Sequence, residues 1–571
     1  MWCKVCNIEI NEEICPVCGN HTAEDIPVEI HWCRNCNIPI IYSVNQVDRG
    51  ICPVCGNETK YMAADLRPVF PEERLLVELL LGKKPNEFLE KSVWVLNNRY
   101  YVNGKVLSLP SKLFDTCDAN ILREELYKYS DDNTYDYFNK YISLFIEANS
   151  YRLNYLVDEA TSFIQEVASK FEEENIVISF SGGKDSTVTA DLTIKALSNP
   201  SLVHIFGDTT LEFYTTQEYA KRYREEHPYA IFQVARNFDQ DFMEVCEDIG
   251  PPARMMRWCC SMFKTGPITR VLNNLYRNHQ ILSFYGIRKF ESVSRSKYNR
   301  IEDAAESVKI QKQTVAAPIF FWKDIDVWLY IMAENIDFNE AYRWGYTRVG
   351  CWCCPNNNQR DQFLAKVYMP DKAREWREFL IRFAQKVGKP DPEIYVDSGM
   401  WKARQGGNGL AVAGDVKLKF TNCTTEEHAK IYRLTRPFEN ELIDLFIPFG
   451  RIAPELGKKL IDETVIVDLK TNIPILSIQP FGQSEYEYSV KIKTMNVANH
   501  DDLQRMAGYQ IRKYNVCRKC LKCESLCKAG AISIVGDSYY INPDKCTHCK
   551  MCMTAKYLDG GCTMDKYLRT K

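Results

Sequence analysis

The spacing of the cysteines constrains this chain more than any other feature. There are 24 of them in 571 residues, and most fall in ordered pairs or triplets. The heptapeptide Ile-Cys-Pro-Val-Cys-Gly-Asn occurs at Ile14–Asn20 and again at Ile51–Asn57. Each copy is preceded by a related half-site, Trp2-Cys3-Lys4-Val5-Cys6-Asn7 and Trp32-Cys33-Arg34-Asn35-Cys36-Asn37. The first unit therefore offers Cys3, Cys6, Cys15 and Cys18, and the second Cys33, Cys36, Cys52 and Cys55. Two CxxC pairs supply four thiolates, which suits a tetrahedral zinc ion with no open coordination position. Iron–sulfur ligation is the rival reading, and two knuckles separated by polar linkers fit zinc better. Gly19 and Gly56 follow each second pair, where a knuckle needs a tight turn. Units of this size cannot fold on a core of their own, so the metal is expected to fold them.

Composition sets the compartment. The N-terminus carries no apolar signal core, so the chain is expected to remain in the cytoplasm. No apolar run is long enough to span a membrane; the stretch around Leu75–Leu81 contains Glu78. In a reducing compartment clustered cysteines are metal ligands or catalysts rather than disulfides. Lys plus Arg is 72 against 75 Asp plus Glu, a net charge of -3, which excludes a polybasic protein while leaving room for a local basic patch.

The sequence divides into five parts. Residues 1–60 hold the two ribbons. Residues 61–150 read as a small α+β module, with a helix over Glu73–Leu81 ended by Gly82 and a hairpin turning at Asn97-Asn98. It is somewhat similar to the RNA-binding PUA-type modules attached to modification enzymes; a spacer role is the plainer reading. Residues 151–405 open with apolar residues at helical spacing from Leu153 to Phe171. A short buried strand, Ile176–Phe180, runs into Ser181-Gly182-Gly183-Lys184-Asp185-Ser186-Thr187 and a helix over Val188–Leu197. Strand, glycine-rich turn and helix aim backbone N–H groups at phosphate oxygens. Lys184 and the hydroxyls of Ser181, Ser186 and Thr187 add donors, while Asp185 can hold Mg²⁺ or orient the loop. The spacing is not that of a Walker loop.

This motif resembles the PP-loop of the ATP pyrophosphatases. The chain on either side of it and downstream resembles one branch of that superfamily, the phosphoadenosine phosphosulfate (PAPS) reductase family, over roughly 159–404. The ordered matches are Gly207-Asp208-Thr209-Thr210-Leu211-Glu212-Phe213, Arg257-Trp258-Cys259-Cys260-Ser261-Met262-Phe263-Lys264, Gly286-Ile287-Arg288 through Arg295, Trp322-Lys323-Asp324 and Gly350-Cys351-Trp352-Cys353-Cys354-Pro355. The resemblance implies a twisted, mostly parallel sheet of the adenine nucleotide α-hydrolase-like kind, with the nucleotide across its C-terminal edge. It makes Arg257, Lys264, Arg288 and Arg295 candidate phosphate or sulfate contacts and puts Asp208 and Glu212 near the nucleotide. Cys259, Cys260, Cys351 and Cys354 offer four thiolates, enough for one [4Fe–4S] cluster. The iron–sulfur members of the family share this layout, and zinc is the alternative. Cys353 is a spacer or a sulfur acceptor.

Two departures bear on function. The Glu-Cys-Gly-Leu-His segment that carries the catalytic cysteine of assimilatory reductases does not occur here, and the loop lysine those enzymes tend to lose is present as Lys184. Both favour ATP over PAPS or adenylyl sulfate as the nucleotide. The expectation is an ATP-dependent sulfurtransferase, with a sulfite-producing PAPS or adenylyl-sulfate reductase as the alternative and a nucleotide-sensing scaffold as a non-enzymatic third.

Residues 406–505 read as an α+β segment, with strands at Val465–Leu469 and Tyr488–Met495, and carry no recognisable chemistry. Residues 506–571 resemble two-cluster ferredoxins of α+β fold: Cys517, Cys520, Cys523 and Cys527, then Cys546, Cys549, Cys552 and a late Cys562. The resemblance implies crossed ligation, with Cys562 completing the first triplet and Cys527 the second. Arg505 to Lys528 contains seven Lys or Arg and one acid, Glu524, which reads as a solvated face or as a dock for an acidic electron donor or a nucleic acid. The expected partners are an adenine nucleotide, a tRNA or DNA substrate, and electron and sulfur donor proteins.

Overall fold

The computed structural model describes residues 14–18, 27–43, 46, 48–276, 279–292, 295–303, 313–482, 484–555, 558 and 560–570, and the backbone of 2–3 and 8–9. Cys6, the side chain of Cys3, and Gly19 lie outside the described residues, and so does the first ribbon as a complete ligand set.

A six-stranded sheet forms the centre. Its strands are β1 (Ile176–Phe180), β2 (Val203–Asp208), β3 (Ile231–Arg236), β4 (Ile281–Tyr285), β5 (Ile301–Asp303) and β6 (Gln313–Ala316), in the order β3-β2-β1-β4-β6-β5. All pairs are parallel except β5 on β6. The expected mostly parallel α/β fold is therefore present. β1 is covered on both faces, which is why it reads as a nearly continuous apolar run. Ile176, Ile178 and Phe180 join a large core with helix α1 (Ser150–Ala168), α2 (Lys184–Leu197), α3 (Tyr214–Glu226) and α5 (Asp324–Ala333). Val177 points the other way, to Leu272 on α4 (Gly266–Tyr276). Strand order reverses beside β1, and open α/β sheets bind ligands at such a switch point, beyond the C-terminal strand ends.

A three-stranded and a four-stranded sheet precede this one in the chain. Strands Val28–Cys33, Ile38–Ser43 and Lys60–Ala63 carry the second ribbon. The module after it has the hairpin Val93–Leu96 and Arg99–Val102, with Asn97 at φ 56, as the Asn-Asn turn predicts, and adds Lys105–Ser108. Its helix, Pro71–Leu80, places Glu73 in a buried cluster. Glu73 accepts from Arg67 at 2.6 and 2.8 Å, from Tyr100 at 2.9 Å and from Arg360, so one carboxylate ties this module to the segment just beyond Cys351–Cys354.

Residues 420–494 form a six-stranded antiparallel sheet. Helix α6 (His500–Val516) packs on it, and the apolar core continues without a break into the cysteine-rich C-terminus. No described helix is long and apolar enough to cross a membrane.

Candidate active site and metal centres

The glycine-rich loop leaves the end of β1 and enters α2 at Lys184. Gly182 adopts φ +69, and a Cβ there would lie 2.8 Å from Thr216 Cγ2. The loop closes on itself: the Ser181 N–H donates to Ser186 Oγ at 3.1 Å, and Ser186 Oγ donates to the Gly183 carbonyl at 2.8 Å. A segment that sequence reasoning missed braces it from behind. Tyr342 Oη accepts from the Lys184 N–H at 3.0 Å, and Asn339 Nδ2 donates to Thr216 at 2.8 Å.

Four charges interlock at the loop. Lys184, 3% exposed, lies 3.3 Å from Asp185 and 3.1 Å from Asp324. Arg288 lies 2.6 Å from Asp185 and 2.9 Å from Asp324. Burial opposes the charges on Lys184, Asp185 and Arg288. The carboxylates nevertheless outweigh it at Lys184 and hold the ammonium charged, and Arg288 with Lys184 hold Asp185 down at about 2. Gly286, at the end of β4, lets Arg288 approach, because a Cβ there would lie 2.5 Å from the Asp185 carbonyl carbon and oxygen. Asp65, a second missed residue, reaches in from the N-terminal segment. It accepts from the N–H groups of Asp324 and Ile325 at 3.0 and 3.1 Å, capping α5. Burial and then the Asp324 charge push its carboxyl up to about 6.

The segment after β2 links this loop to the cysteines. Asp208 accepts from the Thr210 N–H at 2.9 Å, and Thr210 adopts φ 62, a rare conformation for a β-branched residue. Glu212 accepts from Thr209 at 2.6 Å and pairs as a β-bridge with Cys351. Burial first, then Asp208, raise the Glu212 carboxyl. Lys264 is exposed and is a charged neighbour of both Glu212 and Cys351, while exposed Arg257 is one of Cys354. Arg295 is paired with Glu291. Of the four expected anion contacts, Arg288 and Arg295 are thus engaged by carboxylates, and Arg257 and Lys264 stand open beside the thiols.

The tandem cysteines sit where two adjacent ligands can converge. Cys259 leads into a π-helical turn, Cys260–Thr265, that runs on into α4; such turns recur at functional sites. Cys259 has Cys260 and Cys351 as electrostatic neighbours, Cys351 has Cys354, and Cys354 has Cys260. Burial, then the nearby Glu212, push the Cys351 thiol up to about 12. Cys353 is buried, with Cys351, Cys246 and Cys354 as neighbours, which fits a spacer.

The thiol sets differ in how tightly they close. Among the described residues, only Cys33, Cys36, Cys52 and Cys55 bring their ligand atoms within 4.8 Å of one another. Cys33–Cys55 and Cys36–Cys52 are 3.5 and 3.9 Å apart. A zinc tetrahedron with bonds of about 2.3 Å has edges of about 3.8 Å, so one ion fits. Asn37 (φ 57) and Gly56 (φ +71) make the turn after each pair. No other group of three or more of these thiols closes to that spacing among the described residues.

The C-terminal module repeats its backbone. Lys519 (φ 49) and Leu521 (φ 62) flank Cys520, and His548 (φ 55) and Lys550 (φ 60) flank Cys549. Four non-glycine residues in the left-handed region, at matching places in two triplets, are costly unless something inside each loop repays them. Cys562 has Cys517, Cys520 and Cys523 as charged neighbours, and Cys546 has Cys527 and Cys549. The basic stretch is largely turned inward: Arg518 pairs with Asp248, Lys519 with Glu441 and Arg512 with Asp565, while Lys513 is buried. This differs from the exposed basic face that composition suggested, because partners distant in sequence supply the acids.

The module packs on the central site. A Cβ on Gly266 would lie 2.8 Å from Leu521 Cβ, and Arg270 of α4 lies 3.1 Å from Glu524. Tyr567 has Ser261, Cys520, Cys260 and Cys259 around it, and Cys520, Cys562, Cys259 and Cys351 adjoin one apolar core.

Residues 175–357 match the phosphoadenosine phosphosulfate reductase domain. The chain is 32% identical over 274 residues to an uncharacterised Methanocaldococcus jannaschii protein, covering 48% of this chain and 55% of that one. It is 26% identical over 215 residues to an adenosine 5'-phosphosulfate reductase of Lysinibacillus sphaericus, covering 35% and 84% respectively. A Candida auris PAPS reductase structure aligns at 19% identity and TM-score 0.27, over 36% of this chain and 95% of that one. The chain spans somewhat over half the length of the M. jannaschii relatives it matches. By its ordered motifs and by these matches, the central part of the chain is similar to the PAPS reductase family.

Proposed function

We propose that the protein is an ATP-dependent iron–sulfur sulfurtransferase. The single observation that carries this reading is the complete glycine-rich loop, with Lys184 fixed at the first turn of α2 at the switch point of the sheet. Ser181, Gly182, Gly183, Lys184, Ser186 and Thr187 hold the β,γ-diphosphate. Asp185, gripped by Lys184 and Arg288, orients the loop, and Arg288 positions rather than binds. Asp208 and Glu212 line the nucleotide's far side. Arg257 and Lys264 draw an anionic acceptor toward Cys260 and Cys354.

An acceptor oxygen then attacks the α-phosphorus, pyrophosphate leaves, and sulfur at the sulfide level displaces AMP. The inward-facing lysine holds the diphosphate while charge develops on it. Cys33, Cys36, Cys52 and Cys55 hold structural zinc, and Cys3, Cys6, Cys15 and Cys18 are assigned a second ion from their matching spacing. Cys259, Cys260, Cys351 and Cys354 hold one [4Fe–4S] cluster. In the C-terminal module one set is Cys517, Cys520, Cys523 and Cys562 and the other is Cys527, Cys546, Cys549 and Cys552. Clusters held there would offer a binding site for sulfur at the central cysteines and single-electron transfer at the C-terminal ones, two electrons being needed to cleave a donor's persulfide S–S bond to the sulfide that displaces AMP. The ribbons position a macromolecular acceptor such as a nucleic acid.

The second reading, a sulfonucleotide reductase, is favoured by one observation: Tyr567 and the shared apolar core bring the Cys520 set beside Cys259 and Cys260, as delivery of electrons to a bound sulfonate would need. Anaerobically reconstituted protein given ATP, or each sulfonucleotide with reduced viologen, separates the two. The proposal expects pyrophosphate release that Lys184→Ala abolishes. Sulfite release without ATP turnover overturns it.

A further inference from the structure

Helix α6 brings one lysine into the C-terminal module. Lys513 is 1% exposed, and its Nζ donates to the Cys552 carbonyl at 2.7 Å and lies 5.4 Å from the Tyr539 ring centroid. The thiols of Cys523, Cys552, Cys562 and Cys517 are its electrostatic neighbours. Three of these belong to one expected cluster set and Cys552 to the other; the Cys523 thiol approaches the same Cys552 carbonyl at 3.8 Å, so the ammonium sits where the two sets meet. No carboxylate pairs with Lys513 among the described residues. The acids on the surrounding elements are committed elsewhere: Glu441 to Lys519 and Arg436, Asp565 to Arg512 and Arg569, and Glu524 to Arg270.

A buried ammonium without a counter-charge is strongly destabilising. The negative charge that balances this one must come from the thiolates and from what they hold. Reducing a cluster by one electron adds one negative charge to it, with no bond made or broken. A fixed cation nearby stabilises the reduced state more than the oxidised state, and net charge near a cluster sets its potential.

We propose that Lys513 is a buried redox-tuning cation shared by both C-terminal clusters, raising the reduction potential of each so that an external one-electron donor can reduce them. This rests on the reading that the two cysteine sets hold [4Fe–4S] clusters.

The test uses the full chain, reconstituted anaerobically and titrated with dithionite while electron paramagnetic resonance monitors the clusters. Lys513→Gln keeps a donor for the Cys552 carbonyl and removes the charge; Lys513→Arg keeps the charge. The expected result is a downward shift of both C-terminal midpoint potentials in Lys513→Gln, with Lys513→Arg near wild type and the central cluster unmoved. Loss of iron from Lys513→Gln but not from Lys513→Arg reports the same need for charge. Unchanged potentials at full iron content overturn the proposal, as does equal loss of iron from both variants, which would make Lys513 a packing residue. A wild-type chain that takes up no iron at the C-terminal cysteines would instead overturn the cluster reading itself.

Discussion

Gly286→Ala tests whether the geometry of the glycine-rich loop depends on contact with β4. The added Cβ would sit 2.5 Å from the carbonyl carbon and oxygen of Asp185 and 2.6 Å from the Ser186 nitrogen. These are backbone atoms of the first turn of α2, so no flexible side chain can swing aside. Restoring van der Waals contact requires about 1 Å of movement between the end of β4 and the loop, and overpacking of this kind costs about 1–3 kcal/mol. The same displacement moves Lys184 and the anion-facing N–H groups, and a misplacement of about 1 Å can cost roughly 100-fold in a positioned reaction. We expect nucleotide affinity to fall at least about tenfold, the equivalent of about 1.4 kcal/mol, with iron and zinc content unchanged. Calorimetric titration with ATP measures it. Gly414→Ala is the reference, since a Cβ there meets nothing within 4 Å. If Gly286→Ala binds ATP as wild type does, the contact does not shape the loop and the reasoning fails.

Two other perturbations probe the charges that join the N-terminal module to the central domain. Glu73→Gln leaves the buried guanidiniums of Arg67 and Arg360 undercompensated and should cost about 3–5 kcal/mol, read as a loss of denaturant resistance. Burial opposes ionisation of Glu73, yet the two arginines hold its carboxyl down at about 2 against an ordinary 4.5. Its stabilisation is therefore intact above pH 4.5 and lost as pH falls toward 2, and Glu73→Gln should flatten that acid limb. At Asp65 the sign is opposite. Its carboxyl is raised from 3.8 to about 6, so ionising it weakens the folded state as pH rises across that interval. ATP affinity should drop as pH rises through 6, and Asp65→Asn should remove that step; a step that persists in the variant refutes the assignment.

The local elements were legible because their signals are short-range. The turn at Asn97-Asn98, the alternation of strand and helix around the glycine-rich loop, and the spacing of the cysteine pairs each depend on neighbouring residues. What sequence could not reveal comes from long-range pairing. Asp324 stands in a recognisable motif, yet nothing local says that it shares Lys184 and Arg288 with Asp185. Asp65 is one acid in an ordinary linker, and only the fold carries it to the start of α5. Tyr342 and Asn339 brace the loop from more than 150 residues away. The basic run from Arg505 to Lys528 misled for the same reason, since Asp248, Glu441 and Asp565 neutralise it from other segments. The six-stranded sheet at 420–494 offered two strands to sequence reasoning, Val465–Leu469 and Tyr488–Met495, and the structure has them at Thr464–Val467 and Tyr488–Thr494.

In the proposed function the loop around Lys184 binds ATP and releases pyrophosphate. The most direct measurement incubates the anaerobically reconstituted chain with ATP and a candidate nucleic-acid acceptor and quantifies pyrophosphate. Release that requires the acceptor and disappears in Lys184→Ala is the predicted result. Sulfite released from adenylyl sulfate or PAPS, with ATP left intact, would contradict it.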